Sequence, residues 1–163
     1  MILVIDGFNL IYKFTDLEEY IHNRELEKAI TGLIEYLSYF ANQLKKKPVI
    51  YVFFDGKKQK GDDTYQENVK GIHCFYGHDI SADSLIMEFL KAKKANNVSG
   101  IKVISSDKKI QQFAKSHRYD YQSSEEFYIW LKETTSKKTL TNEKPDKITK
   151  KEVDYWLKVF KER

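Results

Sequence analysis

The stretch Met1-Ile2-Leu3-Val4-Ile5-Asp6-Gly7-Phe8-Asn9 decides the fold. Four consecutive apolar residues, Ile2 to Ile5, stop at an Asp-Gly pair. An apolar run this short, closed by turn residues, predicts a buried strand. It lacks the basic start and longer apolar stretch of a signal peptide, so the expected location is cytoplasmic. The figure returns downstream. Val49 to Phe54 ends at Asp55-Gly56, and Ile101 to Ile104 ends at Ser105-Ser106-Asp107. Ile72 to Tyr76, closed by Gly77, is a further strand, and Tyr119 to Gln122 a short last one.

Between these runs the apolar spacing changes to three and four. Leu26, Ile30, Leu33, Ile34, Leu37, Phe40, Ala41 and Leu44 share one face of a long helix, with Asn23 as its expected N-cap. Ser81 opens a helix burying Leu85, Ile86, Phe89 and Leu90, and Lys108 to Ser116 forms another. Ser123 and Glu126 make a capping box for a helix carrying Phe127, Trp130 and Leu131. Lys57 to Gln66 reads as a polar loop. Strands alternating with helices imply an α/β fold with a parallel sheet and right-handed crossovers.

The expected organisation is a main domain over residues 1–135, followed over 136–163 by a linker and a basic amphipathic helix. Thr134 to Lys147 has no periodicity and contains Pro145. After it, Thr149 and Glu152 form a second capping box before Val153, Trp156, Leu157 and Phe160. That stripe suits a partner-binding face or packing on its own domain.

Composition narrows the classes. At 163 residues with 41% hydrophobic and 14% aromatic content, the chain can bury a core. No apolar run approaches the roughly 18 residues of a membrane span. Cys74, the single cysteine, can close no internal disulfide and reads as a packing residue. The net charge of +4 sits in the tail. Lys132 to Arg163 holds 10 basic and 6 acidic residues, which leaves 18 of each before it. A basic tail suits a polyanion, although a solvated surface helix has the same composition.

Three strands end in aspartate, at Asp6, Asp55 and Asp107, and Asp83 lies in the first turn of a helix. In an open α/β sheet, ligands bind at the carboxyl ends of strands near the topological switch point, so these four can converge. Crowded carboxylates cannot all ionise without compensation. Mg2+ or Mn2+ supplies it, because hard cations take oxygen ligands. Such an ion polarises a phosphoryl oxygen and activates water, the chemistry of phosphodiester hydrolysis. Asp83 can cap its helix, whereas Asp6 and Asp107 have no evident backbone role. There is no P-loop and no Gly-x-Gly-x-x-Gly after the first strand, so no nucleotide or other small-molecule cofactor is expected.

These residues resemble a known family. Asp6-Gly7-Phe8-Asn9 is similar to the Asp-Gly-x-Asn signature of NYN-domain nucleases. Phe53-Phe54-Asp55-Gly56, Ser81-Ala82-Asp83, Ser105-Ser106-Asp107 and Ser123 to Phe127 follow in the order of the bacterial YacP-like NYN family. The resemblance implies a PIN-like three-layer fold, with a central, mainly parallel sheet flanked by helices, and metal-dependent cleavage of RNA in a ribosome-associated setting. Carried over, Asp6, Asp83 and Asp107 match the metal site; in a nuclease Asp55 would be an outer ligand or would contact the ligands rather than the ion. Asn9 matches the amide that orients Asp6 or a phosphate, and Ser106 the hydroxyl residue before the last aspartate.

Two readings follow. One is a metal-dependent endoribonuclease. The other is an RNA- or ribosome-binding module with weak or no cleavage, on the ground that Ile80 and Met87 stand where some relatives carry glutamate. In either, Lys57, Lys58, Lys60, Lys108 and Lys109 are expected to contact phosphates, which gives affinity without sequence choice. Tyr12, Phe14 and Tyr76 are candidates for stacking on unpaired bases, or simply for packing.

Overall fold

The structure is a computed structural model, which describes residues 1–55, 65–77 and 80–142. Lys57, Lys58, Lys60 and the expected C-terminal helix lie outside these residues. The chain begins with β1 (Ile2–Asp6), α1 (Gly7–Ile11), α2 (Thr15–His22) and α3 (Leu26–Gln43). Then come β2 (Val49–Phe54), β3 (Tyr65–Val69), β4 (Ile72–Tyr76) and α4 (Ala82–Ala95). It continues with β5 (Ile101–Ile104), α5 (Lys108–Ser116), β6 (Asp120–Gln122) and α6 (Ser124–Asn142).

Among the described residues six strands form one sheet in the order β3-β4-β2-β1-β5-β6. All neighbours are parallel except β3 and β4. The chain leaves β1 toward β2 on one side and returns to its other side at β5. Ile5 pairs with both Val52 and Ile104, so β1, β2 and β5 end nearly level beside that switch point.

Strand alternation builds two cores. Leu3, Ile5, Ile50, Val52, Phe54 and Cys74 point to the face covered by α1, α2, α3 and α6, through Leu10, Leu17, Leu33, Phe40 and Phe127. Val4, Phe53 and Val103 point the other way, against Ile86 and Leu90 of α4 and Ile110 of α5. The result is the expected helix–sheet–helix sandwich. Cys74 is fully buried, and burial pushes its thiol up to about 11, which suits packing rather than reactivity.

Four local expectations need correction. Two short helices, α1 and α2, precede the long one, and Asn23 ends α2 as its C-cap instead of opening α3. Tyr65–Val69 is a strand, so the polar loop ends before Gln66. Its Gln66, Glu67 and Asn68 are exposed on the sheet edge and give no apolar alternation. Helix α6 runs to Asn142, through part of the stretch read as linker. Thr135 adapts to that helix by donating its hydroxyl to Leu131 O at 2.9 Å. Asp107 also has a backbone role, since its Oδ1 accepts from Lys109 N at 2.8 Å and caps α5. Among the described residues no helix is long and apolar enough to cross a membrane.

Candidate functional site

Alternation places the strand-end residues. Ile2, Val4 and Asp6 share one face of β1, as do Tyr51, Phe53 and Asp55 at β2 and Ile101, Val103 and Ser105 at β5. That face is the one covered by α4, whose first turn carries Asp83, and by α5, whose N-cap is Asp107. Glycine at position 7 lets α1 lie across the end of β2. A Cβ there would stand 2.6 Å from Phe54 Cδ1 and 3.0 Å from Phe53 O.

The four aspartates meet in an open cleft of about 330 Å³, lined also by Phe8, Asn9, Tyr12, Ser81 and Ala82. A larger hollow of about 580 Å³ lies between α2 and α3, lined by residues such as Asp16, Tyr20, Glu27 and Tyr36. It receives no strand end. The smaller cleft is therefore the better candidate, because four separate elements deliver acidic groups to it at the switch point.

Asp6 carries the electrostatic signature. Burial, assisted by the charges of Asp107 and Asp83, pushes its carboxyl from 3.8 up to about 6, against the Ser105 hydroxyl and the Asn9 backbone amide. Asp83 is held below the ordinary range, first by its hydrogen bond with Ser81 and also by Lys109. A desolvated carboxylate beside two others is the environment that a cation relieves. All the facing donors are hard oxygens, so the residues fit Mg2+ or Mn2+ in chemistry. Among the described residues, however, no three acidic, His or Cys side chains are close enough to enclose an ion as they stand. Lys109 Nζ is 3.7 Å from Asp83 Oδ2 and offsets part of that charge.

The loop after β5 is held by a half-buried network of side-chain and backbone hydrogen bonds. Ser105, fully buried, donates to Asp6 Oδ2 at 3.2 Å and accepts from Asp107 N at 3.0 Å. Ser106 points to the opposite side. Its hydroxyl donates to Glu125 Oε2 at 2.6 Å and accepts from Ser124 N at 3.0 Å. Asn9 Oδ1 accepts from Ser106 N at 2.9 Å and from Ser124 Oγ at 2.7 Å. The Asn9 side-chain oxygen thus ties α1 to the loop and to α6. Glu125 also pairs with Lys13 at 2.5 Å. Burial alone raises the Glu125 carboxyl, but hydrogen bonds from Lys13 and Ser106 outweigh it and bring it down to about 2.

Ser105, Ser124, Glu125 and Lys13 were missed from sequence. Strand parity could have found Ser105, which shares a face with Val103 and Asp6. No local pattern announces the other three. Of the expected phosphate contacts, Lys108 and Lys109 are exposed at the start of α5. Of the expected stacking residues, Phe14 and Tyr76 are core residues, whereas Tyr12 is 40% exposed and lines the cleft.

Residues 3–161 match the family model of the YacP-like NYN domain. The crystal structure of Rae1 (YacP) from Bacillus subtilis is similar, with a TM-score of 0.65 and 22% identity, covering 99% of this chain and 89% of that one. A point mutant of the same protein gives 0.64 and 20%, covering 98% and 92%. At such identities the likeness is one of fold. No curated protein matches the chain by sequence.

Proposed function

This chain belongs to the YacP-like NYN domain family, and from that premise we propose that it is a divalent-metal-dependent endoribonuclease. The observation that carries the reading is the convergence of Asp6, Asp55, Asp83 and Asp107, from four separate places in the chain, on one cleft. Asp6, Asp83 and Asp107 would hold Mg2+ or Mn2+, with Asp55 outermost. When bound, the ion polarises a phosphoryl oxygen and lowers the pKa of water.

The rest is the work of the chain's own groups. Ser105 orients Asp6 through its Oδ2 and fixes the backbone at Asp107. Asn9 and Ser106 hold the β5–α5 loop against α6, so the carboxylates keep their places as substrate arrives. Helices α1, α4 and α5 all start at the cleft, and their N-terminal dipoles favour negative charge there. Lys57, Lys58, Lys60, Lys108 and Lys109 are the proposed phosphate contacts. The proposed setting is cytoplasmic RNA at the ribosome.

Two observations favour the binding-module reading. Lys109 offsets part of the Asp83 charge, and no metal cage is closed among the described residues. Incubation with unstructured RNA, with and without Mg2+ or Mn2+, decides between them. The nuclease reading expects internal cuts that need the ion and vanish in Asp6→Asn. Binding without cutting in either ion would overturn it in favour of the module.

A further inference from the structure

Helix α1 forms one wall of the acidic cleft, and two of its aromatic residues face it. Phe8 and Tyr12 stand one turn apart, and Tyr12 N–H donates to Phe8 O at 3.3 Å. Their surroundings differ. The Phe8 ring is half-buried and packs edge-on against Phe54, with centroids 5.3 Å apart. Tyr12 caps the C-terminal end of α1, and the residue is 40% exposed and lines the cleft. The backbone beneath it is fixed by that cap and by the neighbouring Lys13–Glu125 pair. An aromatic ring on this turn, beside carboxylates and partly open to solvent, leaves a π-face available to a ligand in the cleft.

We propose that Tyr12 is a base-stacking residue that makes this cleft select unpaired RNA. Tyr12 and the four aspartates line the same cleft, so a nucleotide whose phosphate reaches the aspartates can lay its base on the Tyr12 ring. Stacking tolerates any base but requires that the base be free of its own helix. A duplex keeps its bases stacked internally and gains nothing from Tyr12. The site therefore discriminates by strandedness rather than by sequence. Phe8 is the fixed wall beside it. The ligand class rests on the nuclease reading, but the stacking contact does not require hydrolysis.

The test is fluorescence anisotropy of the full chain with a labelled short oligouridylate and with its oligoadenylate duplex. Calcium is present, because it offsets carboxylate charge without being the ion proposed for cleavage. Tyr12→Ala is expected to weaken single-strand binding about 5- to 150-fold, the range of one lost stacking contact, and to leave duplex binding unchanged. Tyr12→Phe should bind like wild type, since the face and not the hydroxyl makes the contact. The inference is overturned by equal losses on both probes, by unchanged single-strand binding in Tyr12→Ala, or by wild type that binds no single strand. Cleavage assays separate the two proposals. Tyr12-dependent binding without cutting sinks the nuclease reading alone. Ion-dependent cutting by Tyr12→Ala with an unchanged KM sinks this one alone.

Discussion

Asp6→Asn should stabilise the metal-free protein, and the gain should depend on pH. Each factor of ten in proton affinity is worth about 1.36 kcal/mol. The displacement of the Asp6 carboxyl from 3.8 to about 6 therefore costs the folded, ionised state on the order of 3 kcal/mol. Between those two values the folded chain binds more protons than the unfolded one. The Asp6 contribution is thus fully present below 3.8 and is lost as pH rises through 6. Asparagine is neutral throughout, and its Oδ1 can still accept from Ser105. In chelator at about pH 8, the variant should gain up to about 3 kcal/mol, raising Tm by up to roughly 6–12 °C for a chain of this size. Toward about pH 4 the gap should close, because Asp6 is then protonated in wild type too. Urea titrations of both proteins across this range read the difference, in which other carboxylates cancel. A variant no more stable than wild type at the alkaline end would refute the reasoning, as would a gap that ignores pH. Asp6 would then be solvated and apart from Asp83 and Asp107.

Three further substitutions probe the supports. Glu125→Gln should lower stability by less than about 1 kcal/mol, since the carboxylate is half exposed. The Glu125 carboxyl is depressed from 4.5 to about 2, so this loss should be present above pH 4.5 and fade as pH falls toward 2, as denaturation curves can show. Asn9→Ala removes the acceptor for Ser106 N and Ser124 Oγ, and should cost about 1–3 kcal/mol by thermal melt while reducing RNA cleavage. Gly7→Ala drives a methyl group against Phe54 and should cost about 1–3 kcal/mol, with wild-type stability as the refuting result.

Much of this was legible in the sequence because strands and long helices advertise themselves by period. The Asp6, Asp55 and Asp107 strand ends were readable for the same reason, and so was the Ser123–Glu126 capping box, now seen as reciprocal bonds of 3.0 and 3.1 Å. The roles around the site were less so. Ser106 was preferred over Ser105 by motif, whereas the two-residue repeat of β5 turns Ser105 toward Asp6 and Ser106 toward α6. Asn9 was assigned to Asp6 or a phosphate, but α6, more than a hundred residues away in the chain, supplies a partner for its side-chain oxygen. Edge strand β3 escaped because its exposed polar residues need no apolar signal, and α1 because an Asp-Gly pair looks like a turn until Phe54 is seen beneath it.

The central claim is that Asp6, Asp83 and Asp107 form one divalent-ion site. Anomalous diffraction from crystals soaked in manganese tests it most directly, because the ion reports its own position. The account predicts a peak between the carboxylates of Asp6, Asp83 and Asp107 in wild type, and its loss in Asp107→Asn. An empty cleft at manganese concentrations that support RNA cleavage, or a peak bound elsewhere, would contradict it.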